Sequence, residues 1–362
     1  MERIKEIVSV FDLDGEILDV ETYGNGHINN TYKVTIELNK NKRYYILQRI
    51  NDRVFSDIKA LMCNIEHITA HILKKTILLG GDANDCLKII KTKNGDYFYT
   101  CNTGFYRCYN FITSGISIES VPSDEYLRIS GIGFGRFQRL LDDFPAGLLN
   151  ETIPNFHNTE DRFTKFINAT QNNLSGRGSF VKSEIEFFKD RYKYTNMIIG
   201  HLKSGALPLR VTHNDTKLNN ILINTEKMRP VAVIDLDTVM PSTLLYDYGD
   251  ALRYGTNTAA EDETNLDLVK FSFKAFESFT MGFLSEVKTV LTPTELSLMA
   301  VSGLVMTYEC GMRFLTDYLN GDKYFKVHKE HHNLDRARTQ IKLLMEMEKH
   351  IERMQSFISN NI

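Results

Sequence analysis

Between Val211 and Tyr254 the chain reads VTHNDTKLNNILINTEKMRPVAVIDLDTVMPSTLLYDYGDALRY, and its polar residues fall in an order that suits phosphoryl transfer. Such chemistry needs a carboxylate to orient the attacking hydroxyl, an amide oxygen and a carboxylate for a divalent metal, and a cation near the transferring phosphate. Asp215, Asn220, Asp235 and Lys217 supply these groups. Asp215 follows His213 at the second position, Lys217 comes two residues later and Asn220 five residues later. Asp235 closes the apolar run VAVID, and Asp237 beyond it is a second metal ligand or a water anchor. Magnesium prefers oxygen donors of this kind.

Taken singly, an H-x-D turn or a strand-terminal aspartate is ordinary capping chemistry. The order of the two, with lysine and asparagine in place between them, matches the spacing of a protein-kinase catalytic loop and its metal-holding aspartate. The same comparison asks for a nucleotide-binding sheet upstream, and residues 16–51 supply a strand meander: EILDVETY, then TYKVTIEL, a reversal at 39–42, and RYYILQRI. Ile58, Leu61, Met62, Ile65, Ile68 and Ile72 recur at helical spacing and predict a helix over 56–75. Further extended pieces follow around LKIIKT and DYFYT and in GFYRCYNFI, before a small, polar linker, TSGISIES. Beyond Pro122 the periodicity is mainly helical. Thr292, Pro293 and Glu295 form the start of one long helix, and Leu266, Val269, Phe273, Phe276, Phe279 and Phe283 form a core stripe before it. The expected organisation is a sheet-rich lobe over 1–112 and a larger, mainly helical lobe over 113–362, an α+β chain.

The turn between the first two strands carries Gly24-x-Gly26. A dinucleotide fingerprint needs a third glycine at position 29 and a helix after it, whereas Asn29 stands there and a strand follows. As a lid over phosphates, Gly24 and Gly26 let the backbone approach, and amides from His27 to Asn30, Asn29 among them, donate; a plain hairpin turn is the other reading. On the third strand Leu47 and Arg49 share a face, so Leu47 covers a base while Arg49 grips phosphate, unless Arg49 sits in a surface ion pair. Glu66 is either its partner or a solvated helix residue. Gly131, Gly133 and Gly135 lie in a helical pattern and read as close helix packing. His157 reads as a structural histidine. Asp247, Asp250, Arg253 and Arg313 are candidates to face the acceptor, with salt bridges and helix caps as the alternative, and their mixed signs favour a neutral polyol over a cation.

Composition narrows the partners. The 43 basic and 46 acidic residues give a net charge of -3, which supplies no global field for nucleic acid or anionic lipid. The five cysteines form no C-x-x-C pair and fit a reducing compartment. The N-terminal stretch lacks a basic leader and a long apolar run, so a cytoplasmic, monomeric protein with neither a membrane nor a nucleic-acid partner is expected.

HNDTKLNN followed by VIDLDT, the loop YGNGHINNTYKV, and GRFQRLLDDFP with IPNFHNTEDRF resemble the aminoglycoside phosphotransferase and choline kinase superfamily. Within it the chain most closely resembles the N-acetylhexosamine 1-kinases, from about Gly24 to Arg338 and including ECGMRFLTDYLNGDKYF. The resemblance implies a two-lobed protein-kinase-like fold, use of ATP and Mg2+, and phosphorylation of the anomeric hydroxyl of N-acetylglucosamine or N-acetylgalactosamine. Other acceptors of the superfamily (aminoglycosides, choline, homoserine, methylthioribose) and a non-catalytic nucleotide-binding module are the alternatives.

Overall fold

The computed structural model describes residues 2–24 and 29–362. A short helix, α1 (Glu2–Val8), precedes three strands, β1 (Glu16–Thr22), β2 (Asn30–Leu38) and β3 (Asn41–Ile50). The β2–β3 reversal is a two-residue turn in which Asn39 and Lys40 both have positive φ, the geometry that follows the right-handed twist of the flanking strands. Helix α2 (Ile58–Leu78) follows, capped by the Asp57 side chain on the amide of Ala60. Then come β4 (Ile89–Ile90), β5 (Tyr99–Cys101) and β6 (Gly104–Asn110). Among the described residues these six strands form one antiparallel sheet in the order β1-β2-β3-β6-β4, with β5 on β6.

The two faces of this sheet meet different partners, because side chains alternate across a strand. Val34, Ile36, Leu47, Tyr106 and Cys108 pack with Ile7, Val8 and Phe11 from α1 and its C-terminal extension. Ile50 and Tyr109 on the other face pack with α2 and with Phe137, Val211, Leu236 and Val239 of the second lobe. Helix α1 was not legible in the hydrophobic pattern, since seven residues give little periodicity.

The second lobe contains α3 (Asp124–Leu140), α4 (Thr159–Asn172), α5 (Lys182–Asp190), α6 (Ile199–Lys203), the strands β7 (Arg210–Thr212), β8 (Ile221–Asn224), β9 (Arg229–Val233) and β10 (Met240–Ser242), and then α7 (Leu244–Gly255), α8 (Phe273–Val287), α9 (Pro293–Leu319), α10 (His332–Glu348) and α11 (Ile351–Asn360). Strands β7 and β10 pair, as do β8 and β9, making two small ribbons that carry the polar stretch singled out above. The expected apolar stripe is divided: Leu266 lies in a separate 3-10 turn, and α8 itself begins at Phe273 behind the Ser272 cap. Helix α9 starts with the expected capping box between Thr292 and Glu295. The Glu295 carboxylate also accepts from Arg210 Nε at 2.6 Å and Nη2 at 2.9 Å, which ties the start of α9 to β7.

Several contacts set the lobes against each other. The Asn64 amide of α2 donates to Asn150 O at 2.8 Å and to Val239 O at 3.0 Å, and Arg229 of β9 pairs with Asp85 at 2.8 Å. Within the helical lobe, α3 and α8 pack unusually closely through glycines. A Cβ on Gly282 would lie 2.0 Å from Arg128 O, and one on Gly131 would lie 2.1 Å from Phe279 O. Gly→Ala inside a helix ordinarily gains about 1 kcal/mol, but here backbone must move. Gly282→Ala is therefore expected to lower stability by about 1–3 kcal/mol, read as a lower urea midpoint or Tm, whereas Gly147→Ala, whose Cβ meets nothing within 4 Å, leaves it nearly unchanged.

Candidate active site

Strand β7 ends at Thr212 and the chain turns sharply, with Asn214 in the left-handed region at φ 65°. Asparagine tolerates that conformation because its short side chain bonds locally, and Asn214 Nδ2 donates to Thr238 O at 2.8 Å. The turn aims Asp215 away from the core that buries its neighbours. His213 is fully buried between the rings of Phe134 and Phe137. Its Nδ1 accepts from the Asp215 amide at 3.3 Å, and its Nε2 donates to Ile234 O at 2.9 Å. His213 thus links the loop to the end of β9, next to Asp235.

Around Asp215 the expected groups converge. Lys217 Nζ lies 3.0 Å from Asp215 Oδ1, and Asn220 Nδ2 donates to Asp215 O at 2.8 Å and to Oδ2 at 3.2 Å. Asp215 beside it holds the Lys217 ammonium above its ordinary value despite desolvation. Ile234 N donates to Asn220 O at 2.9 Å, so the backbones that carry Asn220 and Asp235 are adjacent.

Asp235 has φ 59° and ψ 58°, a left-handed non-glycine residue at the end of an apolar strand. Its side chain is open to solvent, and desolvation by the surrounding protein atoms, with the nearby charges of Asp237 and Asp215, raises its carboxyl above the ordinary range against the pull of Arg107 and His213. Negative charge is crowded here, and a divalent cation would relieve it. Among the described residues no three His, Cys, Asp or Glu side chains gather to hold a metal by themselves. One carboxylate, from Asp235, and one amide oxygen, Asn220 Oδ1, fit magnesium, which keeps waters and binds substrate phosphates for its remaining positions.

Asp237 departs from the expectation of a metal ligand or water anchor. It is buried, and both its oxygens are engaged by the first lobe: Oδ1 by Arg107 Nη1 of β6, and Oδ2 by Asn29 Nδ2 at 2.6 Å. Arg107 is itself buried, with Nε and Nη2 donating to Gln48 Oε1 at 3.0 and 2.8 Å and its guanidinium over the Tyr109 ring. No sequence argument had singled out Arg107. The available signal was a charged residue on the face of GFYRCYN that also carries Phe105 and Tyr109.

Asp247 also differs from its expected place at the acceptor. Its Oδ2 accepts from the amide of His213 at 2.8 Å and from Gln138 Nε2 at 2.7 Å, and its Oδ1 accepts from the amide of Asn214 at 2.7 Å. It is a buried prop under the loop. Asp250 and Arg253 stand one turn further along α7, where Arg253 Nε donates to Asp250 Oδ1 at 2.8 Å and Nη1 to Glu261 Oε1 at 2.9 Å. Burial works against the Asp250 charge, but Arg253, and then Lys217, hold its carboxyl below the ordinary range. Arg313 of α9 sits with its guanidinium 5.3 Å from the Phe156 ring and 5.6 Å from the Phe325 ring. His157 is buried, with Nδ1 2.8 Å from Glu309 Oε1 and Nε2 3.4 Å from Asn214 O, the structural place expected of it.

On the nucleotide side, Gly24 has φ 73°, where glycine is favoured, and Asn29 grips Asp237; Gly26 and His27 lie outside the described residues. Leu47 and Arg49 do share a face of β3, but it is the face covered by α1. Leu47 packs with Phe11 and Val34, and Arg49 Nε donates to Thr103 O over Gly104. The face that meets the second lobe presents Gln48 and Arg107 instead. Glu66 lies beside His67, not Arg49.

Residues 114–277 match the family described as Phosphotransferase enzyme family, APH. Among solved structures, the chain is similar to a microcompartment-associated aminopropanol kinase, with 12% identity, 98% of each chain covered and a TM-score of 0.62. It is also similar to an aminoglycoside phosphotransferase from Alicyclobacillus acidocaldarius, with 11% identity, 98% of this chain and 96% of that one covered and a TM-score of 0.56. A choline kinase from Cryptosporidium parvum matches with 14% identity, 99% and 98% covered and a TM-score of 0.55. At these identities the likeness is one of fold. The chain has the two-lobed, protein-kinase-like fold of aminoglycoside phosphotransferases and choline kinases, and its residues 114–277 match the phosphotransferase enzyme family.

Proposed function

We propose that this chain is an ATP- and magnesium-dependent kinase that phosphorylates the anomeric hydroxyl of an N-acetylhexosamine. The observation that carries the kinase reading is the convergence of Asp215, Lys217 and Asn220 on one loop whose far end is bonded to the backbone beside Asp235. In this reading the acceptor hydroxyl lies against Asp215, its oxygen attacks the γ-phosphorus, and the bond from that phosphorus to the ADP oxygen breaks. Asp215 orients the hydroxyl and receives its proton as the new P–O bond forms. Lys217 offsets charge on the moving phosphoryl group. Magnesium, held by Asp235 and Asn220, supplies charge neutralisation for the phosphates. Catalysis is then mainly positioning and electrostatics.

The acceptor reading rests on the residues beyond Lys217. Asp250 and Glu261 share Arg253, with Arg336 Nε also 4.0 Å from Glu261, and Glu309 is bonded by His157 and Thr159. Arg313, among the described residues, has aromatic rings and no ion-paired carboxylate. With Asp215 itself beside Lys217, a cationic acceptor such as choline or an aminoglycoside finds few unpartnered carboxylates there, whereas a polyol with an acetamido group finds donors and acceptors. The resemblance through HNDTKLNN and CGMRFLTDYL points to the same acceptor. The anomeric hydroxyl is also more acidic than an ordinary alcohol, which suits a carboxylate of modest basicity.

Asp215→Asn is expected to cut turnover by at least about a hundredfold while ATP binding, measured calorimetrically, changes little. Turnover near that of the unsubstituted chain would remove Asp215 from the reaction. Asp235→Ala is expected to abolish activity and the magnesium-dependent part of nucleotide binding, read as loss of the thermal shift that ATP gives only with magnesium; a retained shift would place the metal elsewhere. Incubation with ATP, magnesium and a panel of free sugars, choline, homoserine and kanamycin is expected to yield a sugar 1-phosphate from N-acetylhexosamines. Phosphorus NMR with a reducing-end assay checks the position, and a 1-deoxy sugar that is phosphorylated equally well would refute it.

A further inference from the structure

Asp237 sits two residues beyond Asp235, on the same short turn, yet neither of its oxygens faces a cleft. Oδ1 is held by Arg107 of β6 and Oδ2 by Asn29, which immediately precedes β2 and lies three residues after Gly26 in the sequence. The grip is reinforced on the first-lobe side. Gln48 of β3 accepts two bonds from Arg107 and donates to Thr31 Oγ1 at 3.1 Å, and Asn29 Oδ1 accepts from the Asn51 amide at 3.0 Å. The carboxylate therefore reaches three strands, β2, β3 and β6, from a loop of the other lobe.

We infer that Asp237 is an interlobe positioning residue, which through Arg107 and Asn29 registers the Asp235 turn against the beginning of β2. Three features support a clamp over a metal ligand. Both oxygens are engaged by charged or amide donors. Arg107 has its remaining donors on Gln48 and is buried, so it is committed to this contact rather than to a soluble phosphate. The pair joins residues 130 positions apart and the Asn29 bond joins residues 208 apart, so neither stabilises a local turn; both act across the lobes. A buried ion pair adds little net stability over apolar side chains of like volume but fixes one arrangement sharply. Its proposed role here rests on the kinase reading: the distance between a nucleotide held under β2 and a cation held by Asp235 is set by this clamp.

The first test needs neither nucleotide nor acceptor. Amide hydrogen exchange of the full chain is compared for the unsubstituted protein, Asp237→Asn, Arg107→Met and Asn29→Ala. The clamp predicts roughly tenfold or faster exchange in peptides covering 29–38 and 104–110 for Asp237→Asn, although the substitution lies in the other lobe, while α8 and α9 peptides are unchanged. Asn29→Ala, which removes only the edge contact, serves if Arg107→Met does not fold. Unchanged exchange in 29–38 for both Asp237→Asn and Asn29→Ala would overturn the inference. The second test is kinetic. Asp237→Asn and Asn29→Ala are expected to raise the KM for ATP, with a double variant no worse than the more impaired single one, and to leave the half-saturating magnesium concentration at saturating ATP unchanged. A shift of that magnesium concentration by Asp237→Asn alone would make Asp237 a metal ligand and sink the clamp. Failure of the unsubstituted chain to bind ATP would refute the kinase reading instead, and the exchange result would then decide the clamp by itself.

Discussion

The carboxylate of Asp247 is the constraint on which the site depends. A buried charge must be met by hydrogen-bond donors or it costs more than the fold can bear, and Asp247 finds two of its donors in the consecutive amides of His213 and Asn214. Those amides converge on one carboxylate only if the chain turns there, which is why Asn214 takes a left-handed conformation. The turn in turn projects Asp215 out of the core and leaves His213 inside it, against Phe134 and Phe137. Thr216 Oγ1 on Asp247 O and Thr238 Oγ1 on His213 O close the arrangement from both sides. The position of the Asp215 carboxylate is thus a consequence of solvating a different one.

Charge is distributed unevenly about this prop. Around α7 and α9, Asp250 and Glu261 share Arg253, Glu261 also lies 4.0 Å from Arg336, and Glu309 is bonded by His157. On the turn after β9, Asp237 has Arg107, whereas Asp235, among the described residues, has no ion pair, and desolvation with the charges of Asp237 and Asp215 raises its carboxyl. The flanking acids have partners while Asp235 is left short of positive charge, which under the proposed function suits a cation that arrives with the nucleotide. Perturbed groups of this kind concentrate where proteins do chemistry.

Legibility followed sequence distance. Asp215, Lys217, Asn220 and Asp235 stand within a few tens of residues, joined by short turns, and their spacing alone brings them together. The sheet, the α2 helix and the capping box at Thr292 were likewise readable, because alternation, helical period and cap chemistry are local. Partners far apart in the chain were not: Glu309 with His157, Arg107 and Asn29 with Asp237. The case of Arg49 is instructive in physical terms. Periodicity rightly puts Leu47 and Arg49 on one face of β3, but which face meets the second lobe is decided by what covers the other, and that cover, α1, is too short to announce itself. Asp247 was marked as polar and relevant, but a prop beneath the loop and a wall of the acceptor pocket have the same sequence appearance.

Helix α9 adds a consequence about which parts of this chain can change length. Its first turn holds Glu295 on Arg210, at the entrance to the strand that leads into the loop carrying Asp215, and its middle holds Glu309 on His157, which touches the loop itself at Asn214. The two glutamates are roughly four helical turns apart on a straight rod. Inserting one residue between them would rotate everything beyond by about 100° and advance it by about 1.5 Å, turning Glu309 and Arg313 away from their partners while Glu295 stayed in place. The segment between these residues therefore works as a gauge whose length is heritable but not adjustable. An insertion outside that segment leaves the phase of α9 between Glu295 and Arg313 untouched.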